Sequence, residues 1–179
     1  MRLETATQED MEYVKELYID AFPSEERKPF FFMKQQTKKG KCEILIIQEE
    51  KKNLGLVMLI PFRDILLIDY LAIDKSAQGN GVGSSALAML RERYPGKRIL
   101  IEIEELDEAA ENAKQRESRK KFYLRNGFVE CNEKVGVAGC RFELLGMPEK
   151  VTYEEYVAVL DHIFGWLLPL FIHPRRIFS

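Results

Sequence analysis

The fold turns on residues 74–85, Asp74-Lys75-Ser76-Ala77-Gln78-Gly79-Asn80-Gly81-Val82-Gly83-Ser84-Ser85. A β-rich segment, Ile65 to Asp74, leads into this stretch. Val82, Ala86, Met89 and Leu90 then mark one face of a helix from about Gly81 to Tyr94, which Pro95 and Gly96 stop. Glycines let the backbone turn tightly and approach a ligand without Cβ clashes. The amides that open a helix have no partner within it and carry the positive end of its dipole, so a pyrophosphate is a natural guest. Spacing then discriminates among phosphate loops. A GxGxxG reading needs glycine at the position of Ser84, and the Gly-Lys-Ser/Thr of a Walker loop is absent. The pattern that fits is Gln-x-x-Gly-x-Gly at Gln78, Gly81 and Gly83.

Upstream of this loop, Cys42 to Gln48 and Leu54 to Phe62 flank the polar turn Glu49 to Asn53 and predict a hairpin, with Arg63 and Asp64 turning into the next strand. Arg2 to Ala6 is a short opening strand. Thr7 and Asp10 have helix-start spacing, and Met11, Val14, Leu17, Tyr18 and Ala21 fall on one helical face that ends at Pro23. A second helical stretch is expected over Ser24 to Lys39, broken near Pro29 and closed by Gly40. Downstream, Arg98 to Glu104 is a strand, and Glu105 to Lys121 is polar enough for loop, exposed helix or both. Phe122 to Arg125 is helical, stopped by Asn126 and Gly127. Phe128 to Val137 and Cys140 to Leu145 form a hairpin turning at Ala138 and Gly139. Thr152 and Glu155 form a capping-box pattern, and Tyr153, Tyr156, Leu160, Ile163, Phe164 and Leu167 continue one helical face to Pro169. Strands with a strand-loop-helix-strand unit among them predict an α/β or α+β domain, a mixed sheet covered by helices, over residues 1–147. Residues 148–179 form a C-terminal helical extension that packs on the domain or on a second subunit.

The 179 residues are 46% hydrophobic and 31% charged, which supplies a core and a solvated surface and excludes general disorder. Lys plus Arg (27) nearly balances Asp plus Glu (29), for a net charge of −2, so nothing marks a nucleic-acid partner. Cys42, Cys131 and Cys140 lack metal-type spacing and their odd number suits reduced thiols in the cytoplasm. The longest apolar run, Ile163 to Ile172, contains Gly165 and Pro169 and is too short to span a membrane.

In its glycine loop, the chain resembles the GNAT superfamily of acyl-CoA-dependent N-acyltransferases. The Gln-x-x-Gly-x-Gly motif follows a strand ending Tyr70-Leu71-Ala72-Ile73, and a second landmark appears as Phe122-Tyr123-Leu124-Arg125-Asn126-Gly127-Phe128. The resemblance covers about Arg2 to Leu145. Many members carry an asparagine seven residues before the tyrosine; this chain has Arg116 there, with Asn112 out of register. Arg116 and Arg119 read equally as phosphate partners or as solvated helix charges.

The resemblance implies a mostly antiparallel sheet and direct transfer of an acetyl group from acetyl-CoA to the primary amine of a small molecule or peptide. It places the cofactor on Gln78, Gly79, Asn80, Gly81, Val82, Gly83 and Ser84, with pantetheine paired along Leu71, Ala72 and Ile73. Tyr123 occupies the general-acid position, beside a leaving thiolate. An ammonium must lose a proton before it can attack, which calls for a carboxylate. Asp69, sharing strand parity with Leu71 and Ile73, is the leading candidate and Glu102 the second; Glu104 reads better as a salt-bridge or surface residue. Phe22, Glu25, Glu26, Phe30 and Phe31 lie where family members shape the acceptor pocket, and aromatic walls with acidic groups suit a cation. Equally, the phenylalanines suit a covering helix. His162 and His173 read as structural. The competing reading is a non-catalytic acyl-CoA-binding module that recruits a protein partner; a dinucleotide-dependent oxidoreductase is disfavoured by the loop spacing.

Overall fold

The computed structural model describes residues 1–24, 26–137, 139–165 and 174–178. The chain divides into two compact units, one of Met1–Pro61 with Ile68–Lys97 and one of Phe62–Leu67 with Arg98–Ser179. Glu25, Ala138, Leu167, Pro169 and His173, all named above, fall outside the described residues.

The first unit begins with β1 (Arg2–Thr5) and α1 (Met11–Ala21), then α2 (Phe30–Lys38), β2 (Glu43–Glu49), most of β3 (Lys52–Phe62) and β4 (Ile65–Ile73), and α3 (Val82–Arg93). Its strands lie in the order β1-β2-β3-β4, and β2 pairs antiparallel with both β1 and β3. Ile44 to Ile47, Leu56 to Ile60 and Leu66 to Ile68 are all buried, so these strands are covered on both faces. That is why they read as continuous apolar runs rather than as alternation. The β2–β3 turn is tighter than the five residues expected. Glu49 pairs with Lys52, and Glu50 and Lys51 turn the chain with φ of 47° and 70°.

Two helix starts differ from the sequence reading. Asp10, not Thr7, stands at the N-cap of α1; its carboxylate accepts the Thr7 backbone N–H at 2.7 Å, and the helix opens at Met11. The stretch expected to be helical from Ser24 is helical only from Phe30. Pro29, at φ −54° and ψ 124°, stands at its N-cap, and its carbonyl accepts the Phe32 N–H. Residues 26–28 are held instead by two tyrosines, described below.

The second unit contains β5 (Arg98–Glu104), α4 (Ala113–Arg125), β6 (Val129–Val137), β7 (Cys140–Met147), α5 (Tyr153–Phe164) and β8 (Arg175–Ile177). Its strands lie in the order β5-β7-β6-β8, and each of these neighbouring pairs is antiparallel. The capping box of α5 forms as expected, with the Thr152 hydroxyl accepting the Glu155 N–H and the Glu155 carboxylate accepting the Thr152 N–H at 2.9 Å. Tyr156, Val159, Leu160 and Ile163 bury the inner face of α5. The sequence reading did not anticipate β8, whose three residues pair with Lys134, Val135 and Gly136. His162 stacks on Phe62 with ring centroids 5.0 Å apart.

Candidate active site

In the first unit, the loop from β4 to α3 is built from local hydrogen bonds. The Asp74 N–H donates to the Leu54 carbonyl at 2.8 Å, tying the end of β4 to β3. The Asp74 carboxylate accepts the Ser76 hydroxyl at 2.6 Å and the Ser76 N–H at 2.8 Å, and these bonds hold its carboxyl below the usual range. A 3-10 turn over Lys75–Ala77 follows, with Ala77 buried as its anchor. The Gln78 side-chain amide then reaches back to the Ile73 carbonyl at 2.9 Å.

Gly79 and Gly81 have φ of +80° and +77°, a left-handed conformation that favours glycine, and Gly81 is the N-cap of α3. The first bond of the helix runs from the Ser85 N–H to the Gly81 carbonyl at 3.0 Å. The amides of Val82, Gly83 and Ser84 therefore open the helix ahead of its own hydrogen-bond ladder. Gln78, Gly79, Asn80 and Gly81 are exposed, whereas Val82 is buried against the unit. The result is an arc of backbone donors at the positive end of a twelve-residue helix, bordered by the exposed residues 78–81 and without a carboxylate among residues 75–85.

The strand feeding this arc is held close to its neighbour. A Cβ placed on Gly55 would stand 2.4 Å from the Ala72 carbonyl oxygen and 3.2 Å from the Ile73 Cα, so only glycine fits there. Ala72 is buried, while Leu71, Ile73 and Asp69 lie on the half-exposed parity of β4.

Asp69 is not an open carboxylate. Its side chain has 0% exposure, and Lys28 Nζ lies 2.5 Å from Oδ1. Its second oxygen, Oδ2, is buried without a hydrogen-bond partner. Around the ion pair, the Tyr18 hydroxyl donates to the Lys28 carbonyl at 3.1 Å. The Tyr70 hydroxyl accepts the Lys28 N–H at 3.1 Å and donates to the Glu26 carbonyl at 2.9 Å. Lys28 Nζ also lies 5.1 Å from the Tyr70 ring centroid. Tyr18 touches Phe22, Phe30 and Tyr70 at 5.7, 6.0 and 4.7 Å between centroids. Burial, then the neighbouring Tyr70, pushes the Tyr18 phenol well above its ordinary value. Of the acceptor-side residues named from sequence, Phe30 joins this aromatic group and Glu26 enters through its backbone. Phe31 points elsewhere and is 74% exposed.

In the second unit, Tyr123 is the buried residue of α4, its ring edge-on to Phe122 and Phe128 at 5.0 and 5.2 Å. Burial raises its phenol well above the ordinary value, with Arg119 opposing. Glu102 accepts a short hydrogen bond from the Tyr156 hydroxyl on α5. Glu104 is the centre of an ion-pair cluster, with Arg119 at 2.6 Å, Arg116 at 3.0 Å and the Asn112 amide at 3.0 Å. Arg116 and Arg119 thus turn inward to a buried carboxylate, which neither solvated helix charge nor phosphate binding had described, and Glu104 takes its salt-bridge reading. Asn112 is the N-cap residue of α4 and accepts Arg116 Nε at 2.7 Å.

Sequence reasoning missed Lys28 and gave Tyr18 and Tyr70 no role beyond packing. No motif marks them. The available signal was Tyr18 on the apolar face of α1 and Tyr70 beside Asp69, which only the fold brings to one lysine.

Residues 40–130, just over half of the 179, match the acetyltransferase (GNAT) domain model. The chain belongs to the GNAT acetyltransferase family. Its relative YjbC of Bacillus subtilis (strain 168), to which an acetyltransferase role is attributed, is 33% identical over 107 residues, 60% of this chain and 52% of YjbC. The chain thus spans about half the length of that relative. Among solved structures, a GNAT-family protein from Bacteroides thetaiotaomicron superposes with a TM-score of 0.74 at 20% identity, covering 93% of this chain and 98% of the other. An aminoglycoside 6'-N-acetyltransferase complexed with coenzyme A gives a TM-score of 0.61 at 13% identity, covering 84% and 100%. These likenesses establish the GNAT fold, a mixed and mostly antiparallel α+β sheet flanked by helices. Among the described residues, no helix is long and apolar enough to cross a membrane.

Proposed function

We propose that this chain transfers an acetyl group from acetyl-CoA to a primary amine of a small molecule or peptide. The observation that carries the reading is the donor arc that opens α3, approached across the exposed residues Gln78 to Gly81, turned by left-handed glycines and free of acidic side chains. These residues fit a diphosphate: the amides of Val82, Gly83 and Ser84 supply donors, and Gln78, Gly79 and Asn80 leave the approach uncovered. Leu71, Ala72 and Ile73 would pair with the pantetheine arm, on a strand whose position Gly55 fixes.

When bound, acetyl-CoA supplies an activated acyl carbon. The neutral amine nitrogen bonds to that carbon, the carbon–sulfur bond breaks, and one of the amine's two protons leaves for a carboxylate or water while the other stays on the amide nitrogen. A proton from a phenol or from solvent converts the departing thiolate to CoA thiol. Tyr123 is the donor we assign, on its place in the landmark Phe122-Tyr123-Leu124-Arg125-Asn126-Gly127-Phe128; a phenol there carries its proton at neutral pH, and burial raises its pKa further. Asp69 is the acceptor of the amine's proton that we assign first, and Glu102 second.

One observation favours the alternative, an acyl-CoA-binding module without turnover: both carboxylates are engaged, Asp69 by Lys28 and Glu102 by Tyr156. Calorimetric titration with CoA, together with thiol release from acetyl-CoA across a panel of amines, separates the readings. Binding with release supports transfer. Binding without release for any amine supports the module, and no CoA binding removes both.

A further inference from the structure

The Lys28 ammonium sits in surroundings more elaborate than a surface ion pair needs. A carboxylate with no exposed surface faces it at 2.5 Å, a tyrosine ring lies 5.1 Å from it, and Phe30 and Phe22 extend the aromatic group through Tyr18. A buried carboxylate beside aromatic rings is the chemistry that holds an alkylammonium. The segment that brings the lysine there is irregular backbone between two helices, pinned by hydroxyl-to-backbone bonds from Tyr18 and Tyr70 rather than by a helical ladder. The Glu26 and Arg27 N–H groups add single-turn bonds to the Pro23 and Ser24 carbonyls, so the segment is held without a continuous helical ladder. The second Asp69 oxygen, Oδ2, is buried and unpartnered, so the carboxylate retains capacity for one more donor than this arrangement supplies.

We propose that Asp69, Tyr70, Tyr18 and Phe30 form an alkylammonium subsite that the protein's own Lys28 fills, and that the acceptor is a cationic primary alkylamine which enters by displacing Lys28. This rests on the acetyl-transfer reading and narrows its acceptor class. Lys28 is then an internal competitor that sets acceptor affinity. Segment 26–28 must lift before an amine with the same charge and stem can reach Asp69. Apparent affinity for an acceptor falls by the fraction of molecules in which the lysine still occupies the place.

The probe is n-butylammonium, the amine end of a lysine side chain, with n-butanol as its neutral counterpart. Titrations are read by melting temperature, and thiol release from acetyl-CoA is measured with n-butylamine as acceptor. The expected result is an apparent affinity for n-butylammonium roughly tenfold or more tighter in Lys28→Ala than in the unaltered protein. A matching fall in KM for n-butylamine should accompany it, without a comparable rise in kcat. The effect should be absent with n-butanol and lost in Lys28→Ala/Asp69→Asn. Equal responses of Lys28→Ala and the unaltered protein overturn the proposal, as does a response that n-butanol reproduces. So does tighter n-butylammonium binding without any change in KM, which leaves a structural ion pair. Should Lys28→Ala not fold alone, its refolding yield with n-butylammonium against n-butanol decides the binding step in the same two directions. CoA binding by the unaltered protein is measured in parallel. If it fails, the acetyl-transfer reading falls; if it holds while the KM shift does not appear, only the subsite falls.

Discussion

Gly55 and Ala72 approach so closely that a Cβ on the former would stand 2.4 Å from the carbonyl oxygen of the latter. The contact lies on β4 next to Ile73 and Asp74, where the strand hands over to the donor arc. The obstacle is backbone, which cannot swing aside as a side chain could. Gly55→Ala should therefore cost about 1–3 kcal/mol, as overpacking does, and should weaken CoA binding as β4 shifts. Chemical denaturation and calorimetry on the one variant check both parts.

At Gly81 the constraint is conformational, since nothing lies within 4 Å of where its Cβ would be. Gly81→Ala must hold an L residue at φ +77°, which costs about 1–2 kcal/mol. We expect the protein to fold and CoA affinity to fall by more than the stability loss implies, because the strain is relieved by rotating the opening amides of α3. Unchanged CoA affinity would separate the arc from phosphate binding.

Tyr123→Phe keeps the ring edge-on to Phe122 and Phe128 and removes only the hydroxyl. Stability should change little, while thiol release slows by about 10²-fold or more if the phenol donates its proton in the rate-limiting step. Because burial raises the phenol's pKa, its acid form persists through the neutral and mildly alkaline range. The alkaline limb of the rate profile should accordingly lie above pH ~10, where an ordinary phenol titrates. A rate profile to that pH, with CoA affinity measured alongside, tests the assignment.

The repeating apolar segments announced the strands, and the glycine spacing announced the loop, because both are local: they depend on residues a few positions apart. Boundaries slipped where a tertiary partner decided them. Residues 26–28 read as helix, but Tyr18 and Tyr70 supply hydrogen bonds that compete with the helical ladder. Asp69 was legible as a carboxylate of the right parity, yet its partner lies 41 positions earlier and no motif links the two. Glu104, Arg116 and Arg119 show the same limit, since charges on a polar helix look solvated until the helix is laid on β5.

That cluster has a measurable weight. The Glu104 side chain is 10% exposed and faces two guanidinium groups. Glu104→Ala leaves both without their buried anion and should destabilise the protein by roughly 2 kcal/mol or more. Glu104→Gln, which keeps the shape and loses the charge, should do nearly as much harm, as denaturation curves on the pair would show.

Glu155 offers a test in acid. Hydrogen bonds from Arg98, then from the Thr152 N–H, hold its carboxyl below the usual value. A lowered folded pKa contributes stability that is present above the unfolded value of about 4.3 and is lost as pH falls through the folded one. Glu155→Gln, whose side-chain carbonyl can still accept the Thr152 N–H, should therefore lower stability near pH 7 by less than about 1 kcal/mol, through the lost charge opposite Arg98, since solvent screens the ion pair. The difference from the unaltered protein should shrink below pH 4. Melting temperatures at pH 7, 5 and 3 trace it.

Strand β8 sets the character of the rim of the second unit. It is three residues long and carries Arg175 and Arg176, the latter in a bidentate grip on Glu133. So short a border makes a poor template for another backbone to zip onto, and by pairing with Lys134, Val135 and Gly136 it closes the outer side of β6 there.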